Sequence, residues 1–115
     1  MWVLHLASAL LCLNSQCYPA LVGDKTPTGD FQMVHMRTNQ PGYGGDVLGY
    51  AEDSHTLYAI HRVWTEVPAQ HRVARLASAD PSDRQAVTGG CINVEPQTYS
   101  KILQSKVSGL EIVKD

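Results

Sequence analysis

Only one stretch of this chain has the apolar spacing of a helix long enough to pack against a core. Beyond Pro96, Tyr99, Ile102, Leu103 and Val107 recur at three- and four-residue intervals and fall on one face. Proline suits a first helical position, where its missing N–H has no partner to lose, and Gly109 fits the far end. Almost everything before this helix is short apolar runs cut by turn-forming residues, the pattern of strands. Residues 2–8 alternate, residues 9–13 form a second run, Asn14-Ser15-Gln16 breaks it, and residues 17–22 resume. Pro19 cannot give an N–H to a ladder, so it argues for an edge or a bulge. The opening therefore predicts a small antiparallel meander rather than a helix.

Residues 23–30 and 39–45 are dense in Gly, Pro, Asp and Asn and read as loops. Between them, residues 31–37 alternate and predict a strand. Residues 57–63, Leu-Tyr-Ala-Ile-His-Arg-Val, predict the next strong one, and residues 110–113 a closing one. Residues 68–88 are a long polar connection carrying His71, Arg72, Arg75, Asp80, Asp83 and Arg84, with a short helical turn near residues 72–77. A connection of that length is unusual in a compact domain and is usually functional. The expectation is one mainly β domain over residues 1–115, with one or two short helices and no internal repeat.

Composition narrows the function classes. Hydrophobic residues make up 43% of the 115 and charged ones 17%, an ordinary globular balance that can bury one core. Nine basic against eleven acidic residues leave a formal charge of −2, with no basic run, so no nucleic-acid partner is expected. The first apolar stretch has no Lys or Arg before it and is interrupted by His5, Ser8 and Asn14. It lacks the parts of a clear signal peptide and is too short for a membrane span, which needs about 20 apolar residues.

Three cysteines, with no CxxC repeat and no Cys/His zinc spacing, argue against a disulfide framework or a zinc finger. Should Cys12 and Cys17 pair, Cys91 is left as the free thiol. Cys91 follows Gly89-Gly90 and lies shortly before the helix at Pro96. Two glycines let the backbone turn tightly with its amides exposed, and such amides can receive the oxyanion of an acyl-transfer intermediate. A thiolate is a strong nucleophile, but a buried cysteine is often only a small hydrophobe. Five histidines could serve as its base. His5 and His35 sit in strand-like runs and His55 in a polar turn. His61 ends an apolar strand that would hold it rigidly, and His71 lies in the long connection. None has the i, i+4 spacing of a metal site, so neither a metal nor a cofactor is expected.

Thr26-Pro27-Thr28-Gly29-Asp30-Phe31, then Ala59-Ile60-His61-Arg62-Val63, then Thr88-Gly89-Gly90-Cys91-Ile92-Asn93-Val94 resemble, in order, three landmarks of the L,D-transpeptidase catalytic domain. The resemblance covers nearly the whole chain. It implies a β-sandwich-like domain with one or two short helices, located in the cell envelope or periplasm and sensitive to carbapenems. It implies a peptidoglycan stem tetrapeptide as partner, attacked at its third residue with loss of the terminal D-alanine. The thioester then passes to an amine; passage to water would make an L,D-carboxypeptidase, and loss of chemistry a peptidoglycan-binding module of the same fold. Carried over by position, Cys91 is the nucleophile and His61 the base. Gly90 and Cys91 give backbone amides, and Asn93 supports the loop. Two features depart from the family. Gly89 stands where a histidine is usual, and the connection from His61 to Cys91 is longer than in the commonest members. That connection brings His71 as a further candidate, with Arg72 or Arg84 expected to hold the substrate's terminal carboxylate through a guanidinium fork.

Overall fold

The alternating opening runs form three antiparallel strands, β1 (Trp2–His5), β2 (Leu10–Leu13) and β3 (Gln16–Leu21), in a computed structural model that describes residues 1–40 and 42–115. The part of the loop expectation that falls on Pro41 lies outside these residues. Ala9 and Asn14 make the two turns with positive φ of 52° and 57°. Leu4 faces Leu11 across the first pair. Cys12 faces Cys17 across the second, and the two form a disulfide. This is one staple across a hairpin rather than a framework. β3 is an interior strand, yet Pro19 meets no demand for an N–H. Ala20 N–H points toward β2, so the Pro19 nitrogen points the other way, and pairing with the neighbour on that side begins only at Ala20.

The strand expected over residues 31–37 is two strands. β4 (Gly29–Gln32) and β5 (Val34–Arg37) separate at Met33, which is buried and donates its N–H to Ser108 O at 2.8 Å. They lie at opposite ends of one nine-stranded order, β4-β9-β1-β2-β3-β8-β7-β6-β5. The remaining members are β6 (Asp46–Glu52), β7 (Leu57–Arg62), β8 (Ile92–Val94) and β9 (Gly109–Val113). β6 has no counterpart in the sequence expectation. Val47 to Tyr50 are buried in an unbroken run, so alternation is missing, and Gly49 interrupts it at a register shift. The fold is mainly β, with the sheet curling until Phe31 of β4 rests edge-on against Tyr50 of β6 at 5.2 Å.

β7 and β8 run parallel, which requires the chain to return across the sheet between them. The long polar connection is that crossover, and it contains α1 (Arg72–Leu76). α2 (Pro96–Ser105) lays Tyr99 and Ile102 onto a core of Trp2, Leu4, Leu11, Ile60, Ile92, Val94, Leu110 and Ile112. Its end is set by Lys106 in the left-handed conformation, and Gly109 instead opens β9. Among the described residues no helix is long and apolar enough to cross a membrane.

Candidate active site

The β7–β8 register sets Ile60 beside Ile92 and His61 beside Asn93. Side chains alternate along a strand, so Asn93 and Cys91 share a face with His61 and Ala59. Cys91 is then the diagonal neighbour of His61, one step beyond the last ladder pair. Both line a cleft of about 280 Å³ whose other walls include Tyr43, Trp64, Arg72 and Gly89. A second arm of about 330 Å³ leaves Cys91, His61 and Tyr43 toward Met36 and Arg37 of β5.

His61 is only 2% exposed. Its Nδ1 lies 2.6 Å from the Arg62 carbonyl, which can only accept, so Nδ1 carries the hydrogen and Nε2 keeps a lone pair. Burial holds the imidazole pKa below its usual value; the bond to Arg62 O opposes this, and the Arg72 charge adds to it. The ring is therefore neutral at neutral pH. The Tyr43 ring packs on it at 4.4 Å between centroids.

Cys91 is the free thiol, half-buried, with Sγ 3.7 Å from Leu57 O. Burial pushes its pKa up, against the pull of a backbone hydrogen bond from Ala59 and the positive charge of Arg72. At rest the cleft thus holds a protonated thiol and a neutral imidazole.

The turn before Cys91 differs in one respect from expectation. Gly90 N–H donates to Thr88 Oγ1 at 3.1 Å, so it is already engaged. The Cys91 N–H has no protein acceptor among the described residues. Gly90 matters instead for its shape: φ is +133°, and a Cβ there would lie 2.5 Å from the Tyr58 ring. At Gly89, by contrast, a Cβ would meet nothing within 4 Å.

The other expected site residues separate. Asn93 is fully buried, and its Oδ1 accepts from Trp64 N–H at 2.9 Å and Arg72 Nη1 at 3.0 Å. It anchors the crossover to β8 and does not itself reach the cleft. Arg72 does line the cleft; its Nε and Asn93 Nδ2 are buried without partners. His71 is exposed, left-handed at φ 53°, and faces a neighbouring groove on the far side of Trp64 and Arg72. Arg84 is 4% exposed, and its guanidinium donates to the carbonyls of Ser8 at 2.8 Å, Ala9 at 3.2 Å and Ser78. With its donors committed to backbone, and lining neither arm of the cleft, Arg84 ties the crossover to the β1–β2 turn.

Tyr43 was not singled out by sequence, although an aromatic between Gly42 and Gly44 in a loop was the available signal. Arg62 holds it: Nη1 donates to Tyr43 O at 3.2 Å and to Asp46 Oδ1 at 2.6 Å. Asp46 also accepts from His35 at 2.7 Å and Tyr99 at 3.1 Å. Burial alone would raise the Asp46 pKa, but the hydrogen bonds from Arg62, His35 and Tyr99 outweigh it and hold the carboxyl below its usual range.

No family model and no curated protein sequence matches the chain. Its fold does match solved structures. The LD transpeptidase LdtMt1 in complex with imipenem aligns with a TM-score of 0.60 at 16% identity, over 97% of this chain and 57% of that one. An L,D-transpeptidase from Mycobacterium smegmatis aligns at 0.52 and 16%, over 97% and 57%. L,D-transpeptidase 1 of Mycobacterium tuberculosis aligns at 0.53 and 16%, over 98% and 60%. The chain thus has the L,D-transpeptidase fold and spans under two thirds of the length of these structures.

Proposed function

We propose that this protein is a peptidoglycan L,D-transpeptidase that works through a Cys91 thioester. The carrying observation is that the β7–β8 register makes Cys91 and His61 diagonal neighbours opening on one cleft. The shared fold supports the same reading. The carbonyl of the third stem-peptide residue enters beside Cys91. His61 Nε2 takes the thiol proton as Sγ attacks, and the carbonyl electron pair moves to oxygen, toward the unpaired Cys91 N–H. Collapse breaks the peptide bond, and the amine of the departing D-alanine receives the proton from His61. An incoming amine then attacks the thioester and regenerates the thiol. Arg72, the cationic wall of the cleft, receives a substrate carboxylate. The Cys12–Cys17 disulfide suits an oxidising compartment such as the cell envelope.

Incubation with meropenem followed by intact-mass measurement tests this reading. The wild type gains one adduct, Cys91→Ala gains none, and His61→Ala gains it about 10²-fold or more slowly, the usual contribution of a positioned base. Full-rate labelling of His61→Ala removes His61 as base. A tetrapeptide assay with excess diaminopimelate-bearing acceptor then separates transfer from hydrolysis, since release of tripeptide alone identifies an L,D-carboxypeptidase. Binding of tetrapeptide without adduct or turnover identifies a non-catalytic module.

A further inference from the structure

Two buried hydroxyls meet at the carbonyl just before the nucleophile. Thr26 Oγ1 donates to Gly90 O at 3.0 Å, and Tyr50 Oη donates to the same oxygen at 3.3 Å. Both side chains are buried, and they come from distant parts of the chain, the loop after β3 and the middle of β6. Thr26 is itself fixed, because its Oγ1 accepts Gly23 N–H at 3.0 Å. Burial, followed by the nearby Cys91 and Tyr58, raises the Tyr50 pKa and keeps the phenol a hydrogen-bond donor.

The peptide joining Gly90 to Cys91 is planar and trans, so its C=O and N–H point in opposite directions. Fixing the carbonyl on the buried side fixes the N–H on the other. Glycine tolerates many backbone conformations, so the Gly89-Gly90 turn alone leaves this plane free to swing. Two hydroxyls on one carbonyl oxygen fill both of its lone pairs and remove that freedom. The Cys91 N–H held opposite that carbonyl is the amide left without a protein acceptor among the described residues.

We infer that Thr26 and Tyr50 are positioning residues for acyl transfer, holding the Gly90 carbonyl so that the Cys91 N–H meets the oxyanion. The inference rests on the acyl-transfer reading of Cys91 but not on peptidoglycan as the substrate. It gives a role to the first of the three sequence landmarks, which contributes nothing to the cleft wall.

The test compares two reactions of one thiol. p-Nitrophenyl acetate acylates it through an oxyanion: the S–C bond forms, the carbonyl pair moves to oxygen, and p-nitrophenolate leaves as the proton passes to His61. Iodoacetamide alkylates it by displacing iodide, with no oxyanion. In the intact protein, Tyr50→Phe is expected to slow acetylation of Cys91 about tenfold while alkylation stays within about twofold, because one of two restraints on a donor worth about 10²–10³ is lost. Thr26→Val behaves likewise, and Thr26→Ser, which keeps the hydroxyl, restores the rate. If Thr26→Val fails to fold, Tyr50→Phe carries the test. Equal loss of both reactions, or loss of neither, overturns the inference, as does a wild type that alkylates but never acetylates. A wild type that acetylates with the expected pattern yet ignores meropenem and tetrapeptide upholds it while the peptidoglycan reading falls.

Discussion

The strands β9, β1 and β2 and the strands β6, β7 and β8 share one sheet and one core but solve different problems. In the first group Trp2, Leu4, Leu11, Leu110 and Ile112 are buried apolar side chains, and Trp2 places its one polar atom on Ser105 Oγ at 3.1 Å. In the second, His61, Asn93 and Tyr50 bring polar atoms into the interior, and two buried nitrogens beside the cleft have no partner. Unpaired buried polar groups are costly, so a fold carries them where they serve a site or where the rest of the structure compensates. Both groups feed the same core, through Leu48, Ile60, Ile92 and Val94 on one side and Leu4, Leu11, Leu110 and Ile112 on the other, so the difference teaches that buried polarity is concentrated in the strands beside the cleft.

The two arginines of the crossover offer the sharpest way to break this contrast, since each falls on one side of it. Arg84→Ala removes a guanidinium that satisfies three backbone carbonyls. It is expected to lower stability by about 3 kcal/mol in urea unfolding, with the Michaelis constant of the folded fraction unchanged. A raised Michaelis constant at unchanged stability would reverse the assignment. Arg72→Ala should do the opposite, raising the Michaelis constant for a tetrapeptide about tenfold, the worth of one charge-assisted contact, with a smaller loss of stability. Asn93 Oδ1 keeps its bond from Trp64 N–H in that variant. Next in size is the acid limb of the meropenem acylation rate. His61 must be neutral to accept a proton, and its lowered pKa keeps it neutral to a lower pH than an ordinary histidine of about 6.5. The rate should therefore fall severalfold only below that value; a midpoint above it would contradict the buried, neutral imidazole. The smallest effect is expected at Gly89, where the backbone is not left-handed and there is open space. Gly89→His should change the melting temperature by about 3 °C or less, consistent with a surface substitution. It would show whether an imidazole beside the thiol speeds acylation beyond what His61 provides.

The same contrast decides what could be read from the sequence. The opening meander, the helix after Pro96 and the strand ending at His61 follow alternation or helical spacing, and the structure keeps them. β6 escaped because burial on both faces erases alternation and Gly49 interrupts the run. The strand over residues 31–37 divided at Met33 because its two halves pair with β9 and β6, at opposite ends of the sheet. Arg72 and Arg84 looked equivalent, as cations in one polar loop, because only the direction of the crossover places one over Asn93 and the other over the β1–β2 turn. The roles of Tyr43, Tyr50 and Thr26 depend on contacts between segments far apart in the chain, and local spacing carries no trace of them.

The Cys12–Cys17 hairpin also bears on how the thiols are sorted as the chain oxidises. Three thiols permit three pairings, and two of those would consume Cys91. Cys12 and Cys17 are five positions apart and face each other as soon as β2 meets β3. A link from Cys17 to Cys91 must close a far longer loop, and closure entropy alone favours the short one by about fiftyfold. Local hairpin formation thus protects a distant residue by using up its competitors, leaving the thiol that lines the cleft in reduced form.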